Sequence, residues 1–523
     1  MDKELSGGMN GEIKYEYRPK EKEPMNFTGI DTGFAIAILV CGFLYWNLIP
    51  LGSLGAGVTI FAIILCLAIA FYFKFSGIHL TKVSIICFGI VALSALNFSL
   101  FDSIIIKGFN FIFLSISVVY WVCLYTGKRL EDKLSIYMIG DMLNQLLVVP
   151  FSNFSCCFEG IKRELAKNKH GKGLLSGLVG ILIFLPVLAV VVNLLVDADA
   201  AFESLVGNLR FSFSSSMLEY VIQLVLGIPV ACYLYGLVYG NRYDRHTKHV
   251  TLESVEKNAI AFRFAPKLTI YSALTALNGI YIIFFLSQAA YLFSAFGNSI
   301  PEAMTYAEYA RRGFFELCTV AGINMGVIAI AHLITNRKGK EIEIQEIPKI
   351  LKIETVAVCL FTMMLIATAV SKMGMYISYY GLTQLRVYTT WFMIILFIVF
   401  AIVALRQFKK FNGSKIAIIS FVLFFMLLCY GNVDGLIAKY NIDRYHEGTL
   451  QTVDVAALSE LSDAAIPYMY ELYQQTEDEE LKSNLKSVIL GVYDGGIMRD
   501  PYESTFRDFN LQEYKADIIR ANL

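Results

Sequence analysis

The chain has 523 residues, 56% of them hydrophobic and 17% charged, with a mean hydropathy of +0.57. A water-soluble protein carries about a quarter charged residues, so a soluble globule is excluded, and 44 Lys plus Arg against 44 Asp plus Glu leaves no general attraction to nucleic acid. The apolar residues fall in repeated runs of about twenty, the length at which a helix crosses a bilayer core.

Residues 1–29 are polar, with Lys14, Arg18, Lys20 and Lys22, and read as a cytoplasmic arm. They lack the apolar core and small-residue cleavage site of a signal peptide, so the first span is expected to act as its own signal. Spans are expected at 30–49, 52–73, 83–101 and 106–125, an N-terminal four-span unit over 30–126. The uncharged turn Leu48-Ile49-Pro50-Leu51-Gly52-Ser53 joins the first two as a hairpin, and Gly55-Ala56-Gly57 points to close helix packing.

Residues 127–173 break the pattern. Lys128, Arg129, Lys133, Lys162, Arg163, Lys167, Lys169 and Lys172 surround a helical pattern with Leu134, Tyr137, Met138, Met142 and Gln145 on one face. Pro150 interrupts it, and Phe151, Phe154 and Phe158 follow. Basic ends around an oily face predict helices lying on the inner membrane surface, attracted by anionic lipid. A cytoplasmic loop with partial helix is the plainer alternative. Spans resume at 174–196, 217–239, 268–294, 314–335, 351–371, 388–405 and 416–436, a seven-span unit over 174–437 that brings the total to about eleven.

Orientation follows from the basic residues. With the N-terminus inside, the inner segments hold roughly 30 of the 44 Lys and Arg, and the outer loops about six: Lys107, Arg210, Arg311, Arg312, Lys372 and Arg386. An odd number of spans then puts residues 438–523 outside, as a small soluble helical domain. There, Thr476 and Glu479 form a capping-box pattern, Ser462 opens a helix with Pro467 in its first turn, and Asn510 caps a last helix reaching Ile519. The fold class is therefore all-α: a polytopic transmembrane helix bundle with interfacial cytoplasmic helices and an external C-terminal helical domain.

No motif assigns a catalytic residue, a cofactor or a metal. The ten cysteines lie in or beside apolar runs without a CxxC pair. His246 and His249 flank a basic loop with no third ligand nearby, and His332 reads as a packing histidine. In-span polar groups are costly in lipid and therefore informative: Asn97, Asn193, Gln223, Asn278, Gln288 and Asn324, with Glu219, Glu316, Glu354 and Asp434 near span ends. Such amides either bridge helices or line a polar pathway.

The densest polar cluster beside a span is Tyr306–Leu317. Glu308, Arg312 and Glu316 lie four apart and stack on one helical face, with glutamate preceding arginine in the favourable order. Tyr306 and Tyr309 suit the membrane–water interface. The stretch is either an interfacial anchor or an external binding or gating element. A second stretch on the same side, Tyr379 to Tyr388, contributes Tyr380 and Arg386.

Tyr306–Leu317, Gly381-Leu382-Thr383-Gln384-Leu385-Arg386-Val387-Tyr388, Ala438-Lys439-Tyr440-Asn441-Ile442 and Leu458 to Pro467 together resemble an uncharacterised bacterial membrane family. That family is catalogued as a domain of unknown function numbered four-one-seven-three, with four-one-five-three as a close relative. The resemblance covers the last two-thirds of the chain. It implies a polytopic bacterial inner-membrane protein and supplies no catalytic residues. The expected function is non-enzymatic transport, sensing or scaffolding, with the bilayer as one partner and another envelope component engaged by the external tail. The alternative is a membrane-embedded enzyme acting on a lipid or lipid-linked substrate at the outer face.

Overall fold

A computed structural model describes residues 26–49, 54–166, 215–247, 251–287, 314–337, 347–492 and 505–523, with isolated helical positions at 184, 191, 195 and 202. Among the described residues the fold is helical, with one isolated β-bridge between Ala265 and Thr335.

The N-terminal helices are α1 (Gly29–Leu48), α2 (Ala56–Phe75), α3 (Lys82–Leu100) and α4 (Ile104–Thr126). A short segment follows: α5 (Met138–Leu143), a π-helical turn (Asn144–Val148), α6 (Val149–Ser152) and α7 (Cys156–Ala166). The chain continues through α8 (Ser215–Arg242), α9 (Leu252–Ala261), α10 (Lys267–Ser287), α11 (Phe314–Ile334), α12 (Lys349–Tyr380), α13 (Gln384–Arg406) and α14 (Gly413–Tyr430). The C-terminal helices are α15 (Val433–His446), α16 (Val455–Ser459), α17 (Ile466–Gln475), α18 (Glu479–Ile489) and α19 (Leu511–Arg520).

Among the described residues, ten helices are long and apolar enough to cross a membrane: α1–α4, α8 and α10–α14. Each coincides with an expected span; the remaining expectation, 174–196, lies outside the described residues. Two boundaries differ. α12 runs to Tyr380 rather than 371 because Met373 and Met375 stay buried beyond the apolar run. α14 stops at Tyr430 rather than 436, because Asn432 takes a left-handed φ of 45° and restarts the chain as α15. The apolar residues after it pack sideways instead of continuing the span.

One core joins α1, α2, α3, α4, α7 and α8 around Ile38, Ile69, Phe73, Phe98, Trp121 and Tyr235. Gly42 on α1 and Gly227 on α8 let the backbones touch, since a Cβ on either would meet the other's carbonyl. A second core joins α10–α13 around Leu274, Ala321, Val358, Met393 and Phe400. Phe425, Cys429, Val433 and Ile437 link α14 and α15 to Ile106 of α4. The C-terminal helices have their own core of Ile442, Leu458, Ile466, Met469, Leu472, Leu485 and Ile489. The bundle's outer surface is apolar: Ile63, Leu67, Phe71 and Phe75 form a stripe of exposed side chains one turn apart along α2. A contiguous exposed patch of this kind suits lipid rather than water.

Candidate functional site

Of the expected site residues, Tyr306, Glu308, Tyr309 and Arg312 lie outside the described residues. Glu316 sits in the first turn of α11 and is exposed. Tyr380 ends α12 and Arg386 lies in the first turn of α13. The Arg386 guanidinium donates to the carbonyls of Tyr380 (3.2 Å) and Gly381 (2.5 Å) and lies 4.3 Å over the Tyr376 ring. It therefore satisfies the carbonyls that a helix leaves open at its C-terminus. Tyr380 supplies one of those carbonyls and an exposed ring that meets Tyr376 and Tyr379 edge to face.

This turn is one wall of a larger polar junction. Asn441 of α15 bonds both backbone groups of Leu382, accepting from its N–H (2.7 Å) and donating to its carbonyl (2.8 Å). Arg444 donates to the Ile377 carbonyl (3.2 Å). Asp434, also on α15, accepts from Gln384 of α13 (2.9 Å) and from the Ser462 N–H (3.3 Å).

At its centre is the break between α3 and α4. Asp102 and Lys107 are 3% and 5% exposed and form an ion pair at 3.3 Å. Asp102 also accepts from the Asp463 N–H (3.3 Å) and the Asn510 amide (3.1 Å), and its own N–H donates to Gln512 (2.9 Å). Gln512 in turn donates to Asn432 (2.7 Å). Asn510 holds its place because it caps α19, accepting from the Glu513 N–H (2.9 Å). Arg520 closes the far side with bonds of 2.6 and 3.1 Å to Asp463. Buried charges persist only when paired and hydrogen-bonded, and here the partners come from both the bundle and the C-terminal segment.

The segment before α19 completes the junction. Phe509 and Arg507 carbonyls accept from the Ala56 (2.9 Å) and Gly57 (2.8 Å) N–H groups, which open α2. A Cβ on Gly55 would strike this backbone at Asp508, and one on Gly57 would strike the Leu48 carbonyl at the end of α1. The Gly55-Ala56-Gly57 run therefore seats the C-terminal segment through Gly55 and, as the sequence reading expected, packs α2 closely on α1 through Gly57.

Asn97, Ser103, Lys107, Asp434, Ser462 and Gln512 line a cavity of about 10 Å³ at the centre, room for about one water molecule. The Ser462 hydroxyl is buried against it without a hydrogen-bond partner. Below it, Asn97 donates to the Cys429 carbonyl (2.7 Å) and accepts from Asn110 (3.2 Å), which accepts from Ser94 (2.6 Å). These amides bridge α3, α4 and α14.

The chain matches, over residues 84–472, the model of a family described as Domain of unknown function (DUF4153). It belongs to this family. The match names the relative that accompanied the resemblance, not four-one-seven-three, and it starts within α3, so it reaches well into the N-terminal third. The DUF4153 region includes Asp102, Lys107, Asp434 and Asn441; Asn510, Gln512 and Arg520 lie beyond it. No curated protein and no solved structure matches the chain.

Several of the remaining in-span polar residues pair locally. Asn324 accepts from Tyr281 (2.5 Å) and donates to Thr362 (2.7 Å), and Asn278 donates to Glu354 (2.6 Å). His332 pairs with Thr355 at 3.0 Å, as a packing histidine does. The His246 carbonyl accepts from Asn144 (3.4 Å), and among the described residues no group of metal-ligand side chains forms. His249, Asn193 and Gln288 lie outside the described residues.

Sequence reading missed the strongest network at the opposite end of the bundle. Asp31 of α1 is fully buried and accepts from Tyr72 (2.6 Å), Arg242 (2.5 Å), Tyr243 (2.7 Å) and Thr28. Arg242 lies over both the Tyr72 and Tyr243 rings, at 5.0 and 4.9 Å. The available signal was one carboxylate entering an apolar span and one arginine closing another. At the same end Asp141 accepts from the Leu130 N–H (3.0 Å). Burial pushes its carboxyl up to about 6, against the lowering effects of that N–H and of Arg129.

Proposed function

We propose that this DUF4153 protein is a non-enzymatic sensor or scaffold of the bacterial inner membrane, in which the C-terminal helices and the spanning bundle act as one coupled unit. The observation that carries this reading is Asp102. A single buried carboxylate is bonded at once by Lys107 of the bundle and by Asp463 and Asn510 of the C-terminal part. A load on the external helices then reaches the bundle through a packed ionic contact, one of the physical routes by which coupling travels. The charge asymmetry supports an N-terminus in the cytoplasm and C-terminal helices outside, facing another envelope component. Glu308, Arg312 and Glu316, with Tyr306 and Tyr309, belong in this reading to the same external side.

Hydrogen–deuterium exchange on the full chain tests the coupling. Asp102→Asn is expected to speed exchange across 462–466 and α19, remote in sequence from the substitution. Faster exchange confined to residues around 102 would sink the proposal.

A further inference from the structure

The segment from Ile136 to Phe151 has two faces of opposite character. One is tied to the bundle. Gln145 and Asn241 exchange hydrogen bonds at 3.1 and 2.6 Å, and Tyr233 donates to the Leu146 carbonyl at 3.0 Å. Met138 and Met142 pack on Tyr120, Cys123 and Leu124 of α4. Gly236 and Gly240 of α8 admit α6 so closely that a Cβ would strike the Pro150 carbonyl or the Asn153 side chain. The other face carries Ile136, Ile139, Leu143, Leu147 and Phe151, each more than half exposed. Their spacing of three or four residues keeps them in one stripe.

Depth and charge identify what covers this stripe. Tyr233 lies nine residues before the end of α8, roughly 13 Å along the axis. The segment thus packs along the last third of α8, from the end of the helix at Asn241 to about the depth of one leaflet at Tyr233. Exposed cations flank it, with Lys133 before the stripe and Lys162 and Arg163 after it on α7, interleaved with the acids Glu131, Asp132 and Glu159. A protein partner would have to be apolar at the centre and acidic at the rim; one bilayer leaflet already provides acyl chains beneath anionic headgroups.

We propose that residues 136–151 form a half-inserted helix embedded in one leaflet, and that Lys133, Lys162 and Arg163 bind anionic phospholipid headgroups beside it. The proposal rests on the bilayer reading of the ten spans. The experiment therefore carries a control on the lipid-facing stripe of α2.

The full chain is placed in nanodiscs of phosphatidylcholine containing phosphatidylglycerol, with or without brominated acyl chains. Leu147→Trp and Phe151→Trp are each compared with the control Phe71→Trp after subtracting the emission of Trp46, Trp121 and Trp391. Brominated lipid is expected to remove most of the emission added at 147 and 151, and acrylamide to leave it unchanged. Quenching by acrylamide alone, or shielding from both quenchers as under a second copy or a protein partner, overturns the inference. Failure of bromine at Phe71→Trp as well marks failure of the bilayer reading instead. For the headgroups, native mass spectrometry of the Lys133→Gln/Lys162→Gln/Arg163→Gln variant is expected to show roughly tenfold less retained phosphatidylglycerol relative to phosphatidylcholine. Equal retention overturns the anionic preference.

Discussion

A lysine and an aspartate buried side by side tolerate the loss of both better than the loss of one. Asp102→Ala takes the ion-pair partner at 3.3 Å from the buried Lys107, and the expected loss of stability is about 3–5 kcal/mol. Asp102→Ala/Lys107→Met is expected to recover much of it. Denaturation of the detergent-solubilised full chain measures both, and a single-variant loss under about 1 kcal/mol would mean a solvated pair. Asp141 gives a residue-scale prediction in pH. Its carboxyl is raised from 3.8 to about 6 by burial, so the folded state holds a proton the unfolded chain releases. The resulting stabilisation is complete below about 4 and lost as pH rises through about 6. Relative to Asp141→Asn, the native chain should lose on the order of 1–2 kcal/mol across that window; parallel profiles would refute it. At this scale, legibility depended on range. The Asn510 cap was readable because its partner is the third residue along, whereas Asp102 finds partners 361 and 408 residues away, and no local pattern encodes such a pairing.

Helices were legible wherever about twenty apolar residues ran together, because that length has few other uses. Their ends were less so. Thr476 and Asp478 compete to cap α18; Asp478 succeeds because its carboxylate accepts from both the Glu480 (3.0 Å) and Leu481 (3.1 Å) N–H groups, leaving Thr476 to accept from Asp478 itself. The turn between α12 and α13 shows how one residue fixes the meeting of elements. Gly381 has a φ of +78°, and a Cβ there would run into the Asn441 side chain. Gly381→Ala is expected to cost roughly 1–3 kcal/mol in backbone strain alone, and more through the displaced Asn441. Adding Asn441→Ala removes the collision but not the strain. If the single and double variants melt together, the contact between α15 and this turn is not a constraint.

At the scale of the molecule, the connections α1–α2, α3–α4, α12–α13 and α14–α15 all meet the C-terminal segment, whereas Asp31, Arg242 and α5 mark the other end. This sorting agrees with the alternation expected from the spans; the side facing the cytoplasm is a proposal from charge. Ser483→Cys and Lys257→Cys, both at exposed positions, test it with an impermeant maleimide. Labelling of Ser483→Cys in intact spheroplasts, and of Lys257→Cys only after permeabilisation, is expected. The reverse pattern inverts the protein.

The clasp at Asp102 also sets a clock on synthesis. Its Asn510 partner is 408 residues downstream, and at roughly 5–20 residues per second the ribosome delivers it on the order of 20–80 s later. Throughout that interval the newborn bundle holds a carboxylate and an ammonium without their closing groups. A segment made long after the first spans is therefore the one that certifies them. A chain ended at Leu490 should still insert, yet disappear in a pulse-chase faster than the full-length protein, as an unfinished product left open to the membrane's proteases.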